Sequence, residues 1–266
     1  MKKRIGKILF FMIVLLLMSC DNGTTASDFF VSDTQEKELG AKFYAGLKDT
    51  LAILPSTDIR SKWVDSVGHA LAREQDRRNF TTNDFHFFVV DEPIVNAFAT
   101  PGGYIYIYQG ILDRAATADE IAGVIGHEIG HVAAKHYKEQ VAKIYGLQFL
   151  QSLLTSRTDN PIILTSAQIG QYLTQMKMSR NNESQADSLA IAYVTDATSL
   201  NFNPLGMAHF LDTLGTLSDH EPSMVEKLVL THPYAPERSD KVEKIIEGNS
   251  LYKTASSRSL TPKPRW

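Results

Sequence analysis

Two histidines with a glutamate between them, His127-Glu128-Ile129-Gly130-His131, form the stretch of this sequence best equipped for chemistry. On a helix, residues four apart share a face about one turn from each other, so both imidazoles reach a single metal ion. Glu128 is rotated about 100° from His127 along such a helix, which puts its carboxylate beside the ion, positioned to take a proton from an attacking water. The flanking Ile121, Val124, Ile125, Ile129 and Val132 argue for a buried helix rather than a surface one with two solvated histidines. A catalytic zinc needs a third protein ligand and an open position. A third histidine six residues past the second, after a glycine, is excluded: Tyr137 and Ala134 hold those places. His136 lies off the metal face of a continuous helix and reads as solvated or structural. A better ligand lies downstream, where Glu183 and Asp187 are four apart on another predicted helix. Glu183 can complete a His-His-Glu set, and Asp187 can accept the other ring proton of a ligating histidine and so fix its tautomer. Zinc in such a site lowers the pKa of a water and polarises a scissile carbonyl; Glu128 takes the proton and later passes it to the leaving amine. The implied reaction is hydrolysis of a peptide bond.

Glu183 stands 52 residues past His131, so a second helix must fold back onto the first, and the loop signal from Ser156 to Pro161 permits that. Upstream, helical patterning runs from Ser32 or Asp33 to about Leu54 and from Asp58 to about Gln75. Three extended runs follow: Phe85–Val90, Ile94–Thr100 and Tyr104–Tyr108, the last two joined as a hairpin through Pro101-Gly102-Gly103. Thr117 and Glu120 have capping-box spacing and start the helix of the histidine motif, which the periodicity continues to about Ile144. Gly146–Leu154 is a short apolar stretch suited to a core or lid helix, and 137–178 as a whole is a candidate lid. Helices are expected over Ala167–Ala197, from Asn203-Pro204 to Leu217 and over Ser239–Glu247. Asp219–Arg238 reads as loop-rich and the basic stretch 250–266 as disordered. The fold class is α+β, mostly helical, with a small sheet next to the active-site helix.

The composition is that of a globular protein, with 43% hydrophobic and 21% charged residues. Lys2, Lys3, Arg4 and Lys7 offset an acidic body, so the chain from Cys20 onward is net −7 against −3 for the whole. No basic patch suits a nucleic acid, so nucleic-acid binding is not expected. Residues 1–19 combine that basic start with the apolar run Ile8–Met18, too short to span a bilayer but suited to a secretory signal peptide. Leu17-Met18-Ser19-Cys20 looks like a lipobox, placing a lipid on Cys20; an uncleaved anchor or an incidental thiol are the alternatives. Cys20 is the sole cysteine, so no intrachain disulfide forms. Residues 20–33 then act as a flexible tether and 34–249 as the zinc metallopeptidase domain. The expected location is the periplasmic side of a bacterial cell envelope, held at a membrane by the lipid.

Several elements together resemble the HtpX-like gluzincin peptidases, a group that includes the prenyl-protein endopeptidases and mitochondrial Oma-type enzymes. They are Asn96-Ala97-Phe98-Ala99 with Pro101-Gly102-Gly103, the helix Gly126–His136, Ser179-Arg180 through Glu183 to Asp187, and Thr231-His232-Pro233 with Pro236 and Arg238. The resemblance covers roughly Phe85 to Ile246 and is closest to compact, lipid-anchored periplasmic members. It implies zinc held by His127, His131 and Glu183, and unfolded or misfolded envelope proteins as substrates. It also implies that an extended substrate adds as a strand alongside Asn96, Ala97 and Phe98, an ordinary core strand being the alternative. His232 is implied to stabilise the developing oxyanion or to cap the zinc in a resting state. Arg238 either anchors that loop or is a surface arginine. Two rival functions remain at this level: a periplasmic chaperone or assembly factor with a mainly structural metal, and an aminopeptidase.

Overall fold

Ser32 starts the first helix by an exchange: its hydroxyl accepts the Gln35 N–H at 3.2 Å while its own N–H donates to the Gln35 side chain at 2.9 Å. The structure is a computed structural model that describes residues 31–77, 79–143, 177–233 and 237–266. The expected signal peptide, the expected lipid site at Cys20 and most of the candidate lid lie outside the described residues. Helix α1 (Asp33–Leu47) ends earlier than expected. The following residues run extended instead, with the Leu54 N–H on the Val89 carbonyl at 2.9 Å and the Asp91 N–H on the Ala52 carbonyl at 2.8 Å. The open edge of the first strand recruits this backbone and outcompetes helix continuation. Helix α2 (Ile59–Ala72) is capped by Asp58 and buries Val64, Val67 and Leu71.

Strands β1 (His86–Val90), β2 (Ala97–Thr100) and β3 (Tyr104–Tyr108) form a sheet in the order β1-β3-β2. β2 and β3 are the expected antiparallel hairpin, whereas β1 runs parallel to β3. The hairpin turn needs Gly102 and Gly103, whose φ angles of 83° and 89° are left-handed. Among the described residues β2 has one strand neighbour, so its other edge lacks a strand partner although Ala97 and Ala99 on it are fully buried, and it runs beside the motif helix.

Helix α3 (Gln109–Arg114) follows β3 directly, and α4 (Ala118–Ala133) carries the histidine motif. Every residue of α4 from Ala118 to Val132 is buried, which makes it the central helix of the domain. It stops well short of Ile144: Lys135 adopts a φ of +62°, and helical structure resumes over 136–143 on a new axis. Ala133, Ala134 and Lys135 are good helix formers, so no local signal marks this break.

Helix α5 (Arg180–Asp196) begins behind a Ser179 cap and packs along α4. Two small-residue pairs set that approach: an added Cβ on Gly126 would lie 3.3 Å from Ala190 Cα, and one on Gly130 3.0 Å from the Ala186 carbonyl oxygen. Helix α6 (Gly206–His220) covers another side of α4, followed by α7 (Pro222–Thr231) and α8 (Glu237–Gly248). α7 occupies a stretch expected to be loop; Pro222 starts the helix at its first turn, where a missing N–H costs nothing.

The tail after Asn249 is ordered, contrary to its expected disorder. Asn249 caps α9 (Ser250–Ala255), the Thr261 N–H donates to buried Asp119 at 2.5 Å, and Trp266 meets Trp63 edge-on at 5.6 Å. Its basic character serves this docking, with the Lys263 ammonium on the Leu112 and Asp113 carbonyls at the end of α3, at 2.9 and 2.7 Å. The architecture is the expected α+β type, mostly helical with a small mixed sheet. No helix among the described residues is long and apolar enough to cross a membrane.

Candidate metal centre

α4 and α5 bring their polar groups to one buried point. His127 Nε2 and His131 Nε2 are 3.0 Å apart, Glu183 Oε2 is 3.6 Å from the first and Glu183 Oε1 3.4 Å from the second. A tetrahedral zinc with ligands at about 2.0–2.1 Å has ligand–ligand edges of about 3.3–3.4 Å, which these separations bracket. The donor set therefore fits zinc, with two imidazole nitrogens 3.0 Å apart and a carboxylate oxygen near each. His232 joins the same cluster: one donor atom from each of His127, His131, Glu183 and His232 lies within 4.8 Å of the others, and all four residues are buried.

Around this set lies a ring of supporting groups. Asp187 Oδ1 is 2.9 Å from His127 Nδ1, the ring atom facing away from the cluster. Arg238 makes a two-pronged contact to Asp187, at 2.7 and 2.9 Å, and its Nη1 stands 2.8 Å from Glu183 Oε2. His131 Nδ1 is 2.8 Å from His136 Nδ1, and His136 Nε2 is 3.2 Å from Gln185 Oε1. The outward nitrogen of each ligating histidine thus faces a polar group, the Asp187 carboxylate for His127 and His136 for His131, an arrangement that orients the rings.

Burial opposes a charge on His127, but its hydrogen bonds with Asp187 and Glu183 outweigh that and push its pKa up to about 9. His131 is held well below the usual histidine range, first by burial and then by its imidazole neighbours. Burial would raise Glu183, yet the charge of His232 and hydrogen bonds from the three imidazoles pull it well below the carboxylate range. Asp187 is likewise lowered against burial by His127 and Arg238. Without metal the site thus holds an anionic Glu183 and a neutral His131, both in their coordinating forms, and a protonated His127 that must release its proton when metal binds.

Glu128 points into the site from the next position on α4. Tyr137 donates to its Oε2 at 3.3 Å, and His232 Nε2 stands 3.6 Å from its Oε1. His232 Nδ1 is 3.1 Å from Glu183 Oε1, so the ring bridges the proposed ligand and the proposed base. Arg238 is buried and reaches the Pro233 carbonyl at 3.5 Å, so it is tied to the segment that follows His232 and is not a surface arginine. Pro236 lies outside the described residues.

The edge strand needs one correction. The Tyr108 N–H donates to the Asn96 carbonyl, so along β2 the main-chain groups of Asn96 and Phe98 face β3. Ala97 and Ala99 present theirs to the open edge, and the Phe98 ring stacks on Tyr106 at 4.7 Å on one face of the sheet. Asn96 and Phe98 therefore cannot pair with an added strand through the main chain; Ala97 and Ala99 can.

His136 takes the structural one of its two expected readings, whereas Tyr137 enters the site unforeseen, because the periodicity predicts an unbroken helix there. The turn at Lys135 swings them back toward His131 and Glu128. Gln185 was legible only as a neighbour of Glu183 on α5.

Comparison with known proteins agrees with this arrangement. Residues 58–246 match the model of Peptidase family M48. The chain is 28% identical over 227 residues to a putative beta-barrel assembly-enhancing protease of Vibrio cholerae, covering 82% of this chain and 45% of that one. It is 30% identical over 151 residues to the mitochondrial metalloendopeptidase OMA1 of Arabidopsis thaliana, covering 57% and 29%. It is 26% identical to the metalloprotease LoiP of Escherichia coli K12, covering 84% and 85%. The chain spans less than half the length of the first two relatives.

Proposed function

Since the chain belongs to peptidase family M48, we propose that it is a zinc-dependent endopeptidase acting on unfolded polypeptides of a bacterial envelope, where a lipid on Cys20 anchors it. The observation that carries the peptidase reading is the convergence of His127, His131 and Glu183 with Glu128 beside them. Zinc, when bound there, supplies a Lewis acid that activates a water and polarises a carbonyl. Glu128 takes the proton of that water and returns it to the leaving amine. Tyr137 orients the carboxylate by donating to it. His232, already inside the cluster, either donates to the developing oxyanion or occupies the ion while substrate is absent.

Two features favour an unfolded substrate. A strand edge without a strand partner, buried at Ala97 and Ala99, lies beside α4, and pairing with it demands an extended main chain. Next to Glu128 and His232 lies a pocket walled by Val124, Met207, Phe210, Leu211, Leu214 and Leu228. With about 30 Å³ of free space it admits only a small apolar group, of the kind a folded protein keeps buried. The envelope location rests on residues 1–20 and on relatives whose names refer to beta-barrel assembly. Those names also keep an assembly role in view beside proteolysis.

The test is Glu128→Gln. It should retain one zinc per chain while cleavage of casein falls about 10²–10⁴-fold, the contribution of a positioned general base. Cleavage at the parent rate would overturn the mechanism. A casein zymogram with and without chelator separates a peptidase from an assembly factor with a structural metal.

A further inference from the structure

The break at Lys135 has a product: it turns Tyr137 back beneath β2, where its ring is buried. The phenol oxygen there sits between two parts of the reaction. It accepts the Ala99 N–H at 3.1 Å and donates to Glu128 Oε2 at 3.3 Å. A phenol has one proton to give, and here it goes to the base, while a lone pair takes the edge donor. Burial holds the hydroxyl well above its usual pKa of 10, so it remains a donor across the working range of pH.

Ala99 is one of the two β2 residues whose main chain faces the open edge, and its N–H is already occupied. We propose that Tyr137 is a positioning residue that latches the substrate edge to the catalytic base. In the resting enzyme its hydroxyl holds both the Ala99 N–H and the Glu128 carboxylate, and a substrate strand must take the Ala99 N–H from it to bind along the full edge. This inference rests on the endopeptidase reading above. The edge-facing groups of Ala97, buried like those of Ala99, have no such partner among the described residues, so a short peptide that pairs only there leaves the latch closed. A longer one that reaches Ala99 opens it, after which the hydroxyl keeps a single partner, Glu128. The arrangement makes the strength of substrate binding depend on how far the strand extends, and it ties that extension to the base.

The test is Tyr137→Phe in the zinc-loaded full chain, which keeps the ring and its packing. The probes are a nested series of fluorescein-labelled casein peptides truncated from either end, with binding read by anisotropy and turnover by cleavage. Freed of its internal partner, the Ala99 N–H should bind long peptides about 2–10-fold more tightly, lowering Kd and KM, and leave short peptides unchanged. At the same time kcat should fall about 10-fold as Glu128 loses its donor. A purely structural role would instead weaken binding at all lengths and lower kcat together with zinc content or unfolding temperature. Unchanged or weaker binding of the long peptides by the variant, with normal cleavage by the parent, overturns the latch and leaves the peptidase standing. A parent that binds the peptides without cutting them sinks the peptidase reading, and the Kd values then decide the latch alone. A parent that neither binds nor cuts any of them removes both.

Discussion

Arg238→Gln is the perturbation that most directly tests how the metal centre is held. The guanidinium is buried and faces two buried carboxylates, Asp187 at 2.7 and 2.9 Å and Glu183 at 2.8 Å. Removing it leaves these acids facing only the imidazoles of the site, His127 beside Asp187 and His127, His131 and His232 beside Glu183. Breaking a buried charge pair by deleting one partner costs about 3–5 kcal/mol. For a domain of this size, 1 kcal/mol moves the unfolding temperature by about 2–4 °C, so the metal-free variant should melt about 6–20 °C lower than the parent. Zinc changes that figure with a definite sign. Bound at His127, His131 and Glu183, the ion brings two positive charges to the same carboxylate, so the zinc-loaded variant should lose less stability than the metal-free one. The assay is thermal unfolding of both forms, with zinc affinity measured by competition against a chromophoric chelator. Arg238→Lys, which restores the charge but not the two-pronged geometry, should recover part of the loss. If Arg238→Gln melts within 2 °C of the parent in both forms, Arg238 does not compensate these acids and the account of the support ring is wrong.

Other variants probe the remaining parts of the site. Asp187→Asn should weaken zinc binding about 10–100-fold by loosening His127, with the chelator competition as readout; parent affinity would show that the ring needs no such support. His232→Ala should keep its zinc, by metal analysis, yet change casein turnover in a direction that separates its two roles: slower if it serves the oxyanion, faster if it caps the resting ion. Gly130→Val places branched carbons where an added Cβ already lies 3.0 Å from the Ala186 carbonyl oxygen, so α4 and α5 must part and zinc affinity should drop at least about 10-fold. Asp33 is held far below its ordinary pKa by Lys138, Asn79 and Arg77 despite partial burial. Its stabilising effect is therefore full above the unfolded value near 3.9 and fades as pH falls toward the folded value. Asp33→Asn should lower the unfolding temperature at pH 7, and the gap from the parent should narrow below about pH 4; a gap that does not depend on pH would disprove the pairing.

The chemistry of this protein was legible in sequence to an unusual depth because it is carried by helical spacing. His127, Glu128 and His131 sit on one helix, and Glu183 and Asp187 on another, so two local periodicities define most of the donor set. The hairpin at Pro101-Gly102-Gly103 was equally readable, because a left-handed turn needs glycine. Less local features were not. Whether Asn96 and Phe98 or Ala97 and Ala99 face the open edge depends on the register with β3, and a shift of one residue exchanges them. The order of the C-terminal tail depends on Asp119 and Trp63, groups more than a hundred residues upstream.

Residue types and spacing alone determined that two imidazoles and a carboxylate could share one ion with a glutamate beside it. Only the tertiary structure decided that Arg238 would lock Asp187 and Glu183 together and that His232 would enter the cluster. It also decided that a helix break with no glycine or proline to announce it would return His136 and Tyr137 to the site. Ligand spacing on a helix follows from the chain's own repeat, whereas a left-handed Lys135 is tolerated only because the contacts made by His136 and Tyr137 on its far side repay its strain.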